Sequence, residues 1–113
     1  MNKHKLLSIV IPTYNMEKYL AKCLNSLVNA KKALPMSEIL IINDGSKDAS
    51  SEIAYKYQEQ YLDSVIVIDK ENGNYGSCIN VALKVATGKY IKVLDADDWF
   101  DSSAFDDFIE KLK

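Results

Sequence analysis

The feature that most constrains this chain is a regular alternation of short apolar segments with segments of helical periodicity. The apolar segments, rich in branched side chains, are residues 6–11, 38–43, 64–69 and 90–95. Three are almost continuously apolar, which is typical of strands covered on both faces in a parallel sheet. Lys92 interrupts the fourth, which predicts an edge strand or a half-open face. The alternation predicts an α/β fold, a doubly wound, mostly parallel sheet with right-handed crossovers and helices on both faces.

Apolar residues recur at helical spacing between and after these strands. Thr87-Gly88 is interpreted as a glycine stop for the third helix, and Ser102 or Ser103 as the cap of the last one. With no internal repeat and no low-complexity linker, residues 1–113 are interpreted as a single domain. The helical patterns cover residues 19–28, 53–61, 77–86 and 102–113.

Composition and charge exclude several classes of function. The formal net charge is -2 and the charges of both signs are dispersed, so no basic stripe is available for nucleic acid. Cys23 and Cys78 match neither a disulfide framework nor a paired metal spacing, which predicts a cytoplasmic location. The first apolar run is too short for a signal peptide and lacks a cleavage site, and no run approaches the roughly 20 residues of a membrane span.

Polar and acidic side chains follow three of the predicted strands. In an open α/β sheet, ligands bind beyond the carboxyl ends of the strands, near the point where strand order reverses. A turn or cap role explains each group taken alone, and Ser46 or Asp48 can simply cap the second helix. The groups are Pro12-Thr13-Tyr14-Asn15 with nearby Glu17, then Asn43-Asp44-Gly45-Ser46, then Asp95-Ala96-Asp97-Asp98.

The last of these groups places three carboxylates in four residues directly after an apolar strand. Like charges this close repel, and a cation relieves the repulsion. Mg²⁺ or Mn²⁺ prefers oxygen ligands, and typically takes one or two carboxylates together with water and nucleotide phosphates. A solvated acidic turn, or an acidic start to the last helix, is the alternative that remains open.

The segment Asn72-Gly73-Asn74-Tyr75-Gly76-Ser77 precedes a predicted helix, so its glycines can let the backbone approach an anion at the helix N-terminus. It is neither a dinucleotide fingerprint nor a P-loop, and a loop that merely turns the chain is an equal alternative. Cys78 is not expected to be a nucleophile, because the single histidine, His4, lies among polar residues before the first strand and is interpreted as incidental.

Three strings in order, IVIPTYN, ILIINDGSKDAS and KENGNYGSCINVALKVATGKYIKVLDADDWF, resemble the family-2 inverting glycosyltransferases, which have the GT-A nucleotide-sugar fold. The resemblance covers residues 7 to about 100. It is specific, because the Asp-x-Asp-Asp motif is joined to the lead-in Ala86-Thr87-Gly88-Lys89-Tyr90-Ile91.

The resemblance implies a donor site for a nucleoside-diphosphate sugar, most commonly a UDP-sugar. It implies that Asp44 binds the base, that Asp95 approaches the ribose or the sugar, and that Asp97 ligates Mg²⁺ or Mn²⁺ on the diphosphate. Many relatives carry Ala-Arg-Asn where this chain has Cys78-Ile79-Asn80, so the contact of that arginine with the donor phosphates is missing here and Lys70 is its predicted substitute. The rest of the predicted donor set is Pro12, Thr13, Tyr14, Asn15 and Glu17 along the uridine, with Asn74, Gly76 and Ala96.

Family members continue into an acceptor-binding half whose Asp or Glu serves as base, and nothing after Asp98 matches it. We therefore predict a truncated donor-binding half whose base lies beyond Lys113, with a sugar or lipid-linked acceptor, and membrane association only through such a further part. The uncovered sheet edge predicts self-association. The alternatives are a non-catalytic nucleotide-sugar binding or assembly module, and a nucleotidyltransferase, which would need a basic glycine-rich loop after the first strand.

Overall fold

A four-stranded, fully parallel sheet organises the chain. The computed structural model describes residues 5–113, so His4 lies outside the described residues. A 3-10 turn, Leu34–Met36, precedes the second strand. The strands are β1 (Leu7–Thr13), β2 (Ser37–Asp44), β3 (Val65–Lys70) and β4 (Tyr90–Val93), and the helices are α1 (Leu20–Val28), α2 (Ser50–Gln60), α3 (Tyr75–Val85) and α4 (Ser102–Leu112).

The strand order is β3-β2-β1-β4, so the direction of strand addition reverses at β1. Helices α1 and α2 pack on one face of the sheet and α3 on the other. Right-handed crossovers produce this arrangement when the direction of addition reverses. The predicted α/β, doubly wound architecture is confirmed, and its switch point lies between β1 and β4.

The central strands are apolar on both faces because each face carries its own core. Alternate residues of β1 and β2, such as Ile9 and Ile39, enter the larger core beneath α1, α2 and α4. Their neighbours Val10 and Leu40 enter the smaller core beneath α3. Side chains alternate between the two faces of a strand, so a strand buried on both sides is apolar at most positions along its length.

Strand β4 is an edge of the described sheet, because it pairs with β1 alone. The edge position predicted from Lys92 is therefore confirmed. Pairing between β1 and β4 ends at Val10 and Val93, with one further hydrogen bond from Leu94 N–H to Val10 O. Beyond this point Pro12, which has no N–H, faces no partner strand on that side, and so a proline is tolerated inside β1.

The predicted cap of α4 and the predicted glycine stop of α3 are wrong. Asp101, rather than Ser102 or Ser103, caps α4, and its carboxylate accepts hydrogen bonds from the backbone N–H groups of Ser103 and Ala104. Gly88 does not end α3, which stops at Val85. Gly88 instead permits close packing, since a Cβ there would lie 2.5 Å from the backbone N of Ser8.

Candidate functional site

An open cleft of about 320 Å³ lies at the carboxyl ends of β1 and β4, at the switch point of the sheet. This is the location that the doubly wound topology predicts for a ligand. The cleft brings together seven of the predicted site residues, from the ends of three strands, β1, β2 and β4, that are far apart in the sequence. Its lining consists of Pro12, Thr13, Tyr14, Met16, Asp44, Tyr75, Cys78, Asp95, Ala96 and Asp97.

Asp95, Asp97 and Asp98 form an exposed acidic cluster at one end of this cleft. One carboxylate oxygen from each can be chosen so that all lie within 4.8 Å of one another. The turn is closed by a hydrogen bond of 2.9 Å from Asp98 N–H to Asp95 O. Oxygen donors at this spacing suit Mg²⁺ or Mn²⁺, so the residues present fit the metal that the resemblance implies.

Helix α1 supports the acidic cluster from below. Ser26 Oγ accepts a hydrogen bond of 3.1 Å from Phe100 N–H, just after the cluster. The buried Cys23 Sγ lies 3.9 Å from Asp95 O. Burial first, and then the charges of Asp98 and Asp97, raise the pKa of Cys23 to about 12. This cysteine is therefore a neutral packing residue at physiological pH.

Asp44 occupies another part of the cleft and is held by an ion pair. Its Oδ1 accepts hydrogen bonds from Lys70 Nζ at 2.6 Å and from Gly73 N–H at 2.9 Å. Burial acts to raise the pKa of Asp44, but these hydrogen bonds and the charge of Lys70 outweigh it and hold the pKa below its ordinary value. Asp44 is thus an ionised, nearly buried acceptor at neutral pH.

The glycine-rich segment, residues 72–77, is hydrogen-bonded to the end of β2. Asn72 Nδ2 donates to the backbone oxygen of Asp44 at 3.0 Å. Gly45 has a φ of +70°, and a Cβ there would lie 2.8 Å from the backbone N of Asn72, so glycine is required. Asn74 and Ser77 form a capping box at the start of α3. The side chain of Asn74 is therefore occupied in capping a helix.

Asn15 and Glu17, predicted to line a uridine, are not among the cleft residues. Asn15, at a φ of 52°, accepts a hydrogen bond of 2.8 Å from Lys47 N–H. Glu17 N–H donates to Asp48 Oδ2 at 3.1 Å, and the Glu17 side chain is exposed. These contacts join the loop after β1 to the loop after β2. Gly76, also absent from the lining, lies in the first turn of α3.

Three residues of the lining were not predicted from the sequence, namely Met16, Tyr75 and Cys78. Tyr75 is 54% exposed, and its hydroxyl lies 3.5 Å from Asp95 Oδ1 across the cleft. Burial, followed by the charge of Asp44, raises the pKa of Cys78. The signal for Tyr75 was its place between two glycines of a segment already singled out.

The fold and the cleft define a class, an α/β domain of the GT-A type with an acidic cleft at its switch point. Residues 8–113 match the sequence profile described as "Glycosyl transferase family 2". The chain belongs to this glycosyltransferase family, and the resemblance inferred from its motifs is confirmed.

Several known proteins are similar to this chain. An uncharacterized glycosyltransferase of Mycoplasma pneumoniae, the MG025 homolog, is 40% identical over 102 residues, covering 88% of this chain and 34% of that protein. The poly(ribitol-phosphate) beta-N-acetylglucosaminyltransferase TarS of Staphylococcus aureus is 35% identical over 102 residues, covering 88% of this chain and 18% of that protein. The chain thus spans about a third or less of the length of these relatives.

Solved structures agree with this assignment. TarS residues 1–349 in complex with UDP superimpose with a TM-score of 0.80 at 32% identity, covering 93% of this chain and 31% of that one. The same protein with UDP-GlcNAc also gives a TM-score of 0.80, at 34% identity, covering 93% of this chain and 30% of that one. The mannosyltransferase PcManGT of Pyrobaculum calidifontis, in complex with GDP-Man and Mn²⁺, has a TM-score of 0.77 at 20% identity, covering 87% of this chain and 29% of that one, and shows the fold alone.

No helix among residues 5–113 combines the length and the apolar character that a membrane crossing requires.

Proposed function

We propose that residues 1–113 form one donor-binding domain of a metal-dependent, inverting glycosyltransferase that uses a UDP-sugar. The observation that carries the proposal is one cleft containing both an ionised acceptor, Asp44, and the carboxylates of Asp95 and Asp97. The solved TarS complexes with UDP and UDP-GlcNAc support a uridine nucleotide as the ligand class. The experiment that tests the proposal is a calorimetric screen of nucleotides and nucleotide sugars in the presence of Mn²⁺.

In this proposal the base lies against the end of β1 and the diphosphate lies near the acidic cluster. Tyr14 is 42% exposed and lines the cleft next to Pro12, so it offers an aromatic face to the uracil ring. Asp44 accepts the ring N–H of the base, and Asp95 lies nearer the ribose or the sugar. Ala96 is buried beneath this cluster and keeps the wall of the cleft small.

Asp97, with Asp95 and Asp98 beside it, would hold Mg²⁺ or Mn²⁺. A bound metal of this kind neutralises the negative charge that develops on a leaving nucleoside diphosphate. The protein's own contribution is the position of the carboxylates, which the support from α1 below them maintains. The N-terminus of α3 also faces the cleft through Tyr75 and adds a weak positive potential near the diphosphate.

The remaining steps of the reaction are proposed from the family. A carboxylate other than Asp44, Asp95 and Asp97 takes the proton of the acceptor hydroxyl. The acceptor oxygen then bonds to the anomeric carbon as the nucleoside diphosphate leaves, in one step that inverts this centre. The acceptor is a sugar or a lipid-linked sugar, and the name of TarS supports a role in polysaccharide synthesis.

Two buried free cysteines support a reducing compartment, so we propose a cytoplasmic location.

We expect Asp44 to select the base. Uracil carries a hydrogen on the ring nitrogen that faces an acceptor, whereas cytosine carries none at that position. In Asp44→Ala, UDP affinity should fall by about tenfold or more while CDP affinity changes little, because a hydrogen bond to a charged group contributes about 1.5–3 kcal/mol. Isothermal titration in Mn²⁺ measures both affinities.

Asp69→Asn is the matched control for this substitution. Asp69 is the penultimate residue of the neighbouring strand β3, but its carboxylate accepts hydrogen bonds from Tyr55 and Asn43, and it does not line the cleft. The control should retain the preference for UDP over CDP. An equal loss of UDP and CDP affinity in Asp44→Ala would show that Asp44 does not read the base.

We also expect the 113-residue polypeptide to self-associate through the free edge of β4. Its Tyr90 and Ile91 are 40% and 45% exposed, and the backbone groups on this side have no strand partner among the described residues. An unpaired edge bearing apolar side chains favours pairing with a second chain. Sedimentation velocity should show a concentration-dependent dimer that Ile91→Lys weakens; a monomer at all concentrations would contradict this expectation.

A further inference from the structure

We propose that Lys70 is a positioning residue for base recognition, which orients the Asp44 carboxylate and does not contact the phosphates of the donor. This inference rests on the proposed function and deepens it, because it assigns a role to the basic side chain that pairs with Asp44, the carboxylate proposed to bind the nucleotide base. It differs from the role that the sequence predicts for Lys70, which is to replace a phosphate-binding arginine.

The ammonium group of Lys70 already makes two hydrogen bonds within the protein. Its Nζ donates to Asp44 Oδ1 at 2.6 Å and to the backbone oxygen of Glu71 at 2.6 Å. The side chains of Lys70 and Asp44 are only 15% and 8% exposed, so this ion pair is largely removed from water. An ammonium group has three donors, and two of them are used within the protein.

Releasing Lys70 from Asp44 would be energetically unfavourable. If the ammonium group moved to a phosphate, the nearly buried Asp44 would keep only the hydrogen bond from Gly73 N–H and its contact with the weak thiol donor of Cys78. Removing one partner of a buried ion pair leaves an uncompensated charge and is strongly unfavourable. Lys70 is also absent from the residues that line the cleft, whereas Asp44 is among them.

The two hydrogen bonds to Asp44 also determine which of its carboxylate oxygens remains for a ligand. The hydrogen bonds from Lys70 and Gly73 both end on Oδ1, so Oδ2 remains as the acceptor for a ligand, with only the weak thiol donor of Cys78 beside the carboxylate. Two donors on one oxygen fix the plane of a carboxylate better than one does. Removing Lys70 therefore leaves Asp44 in place but loosens its orientation toward the base.

The test compares ligands that have the base but differ in phosphate. Lys70→Gln removes the charge, and Lys70→Arg keeps it. Uridine, UMP, UDP and CDP are titrated into each protein in Mn²⁺, with nuclear magnetic resonance for the weak ligands. A role through Asp44 predicts that Lys70→Gln weakens uridine and UDP by the same factor, about tenfold, and lowers the UDP-to-CDP affinity ratio, while Lys70→Arg largely restores both.

A phosphate contact would give a different result, in which Lys70→Gln weakens UDP and UMP but leaves uridine unchanged. Either that result or unchanged affinity for all ligands would overturn the inference. The UDP-to-CDP ratio is measured on the folded fraction alone, so it stays informative if Lys70→Gln lowers stability. Lys84→Gln, which alters an exposed lysine of α3, is the matched control. Failure of the unaltered chain to bind uridine or UDP would instead refute the proposed function.

Discussion

The polypeptide of residues 1–113 is expected to bind UDP-sugars but to transfer no sugar by itself. Inverting transfer needs a base opposite the leaving group and an acceptor held in line, and loss of a general base alone typically lowers the rate by about 10²–10⁴-fold. The cleft's carboxylates already have other proposed roles: Asp44 binds the uracil ring, Asp95 lies near the ribose or sugar, and Asp97 holds the metal. None of them is therefore available as the general base. The assay measures UDP release and glycosylated product with UDP-sugars, Mn²⁺ and simple or lipid-linked acceptors.

The positive control is a full-length relative such as TarS, of which the segment matched by this chain makes up 18%. Donor binding must be confirmed in the same sample, so that an inactive but competent domain is distinguished from an unfolded one. Acceptor-dependent turnover by this polypeptide would contradict the expectation and would place the base among the described residues. If a longer polypeptide that contains this domain also binds the donor without turnover, the result would instead support a non-catalytic nucleotide-sugar module.

Asp97→Ala is expected to lower UDP affinity in Mn²⁺ by about 100-fold or more. Loss of a residue that only hydrogen-bonds to a metal ligand already lowers metal affinity by about 10–100-fold, and Asp97 is proposed to be a ligand itself. The reason is that the diphosphate would lie against exposed carboxylates, and only a cation makes this contact favourable. EDTA should have a similar effect on the unaltered chain. Uridine, which carries no phosphate, should lose little affinity in either experiment.

Asp107→Ala is the control for this prediction, because it removes an equally exposed carboxylate from α4, away from the cleft. Thermal unfolding of both variants should match that of the unaltered chain, since exposed carboxylates that repel one another contribute little to stability. Equal UDP affinity in EDTA, or in Asp97→Ala with Mn²⁺, would remove the metal from the proposed site.

The order and type of the strands and helices were predictable from the sequence. The period of the apolar residues separates strands from helices, and continuous apolar runs identify strands with a core on each face. Boundaries were less predictable. Strand β1 continues through Pro12 to Thr13, and α3 begins two residues before the predicted start, because Asn74 caps it through a capping box.

The chemistry of the cleft was predictable to the extent that it depends on which strand ends meet. The parallel fold brings the carboxyl ends of β1 and β4 together, so Tyr14, Asp95 and Asp97 share one cleft. The roles of Asn15 and Glu17 were not predictable in the same way. Their contacts are with Lys47 and Asp48, on a loop that approaches only after β1 and β2 have paired.

The sequence by itself determined the fold class, the family and the edge of the sheet that holds the site, because these follow from local periodicity and from short motifs at strand ends. Only the tertiary structure decided that Lys70 pairs with Asp44, 26 residues away, and that Tyr75 reaches across to Asp95. The physical reason is that a charged or polar side chain near a strand end has many partners within reach. Strand pairing and burial select one of them, and neither is encoded within a single motif.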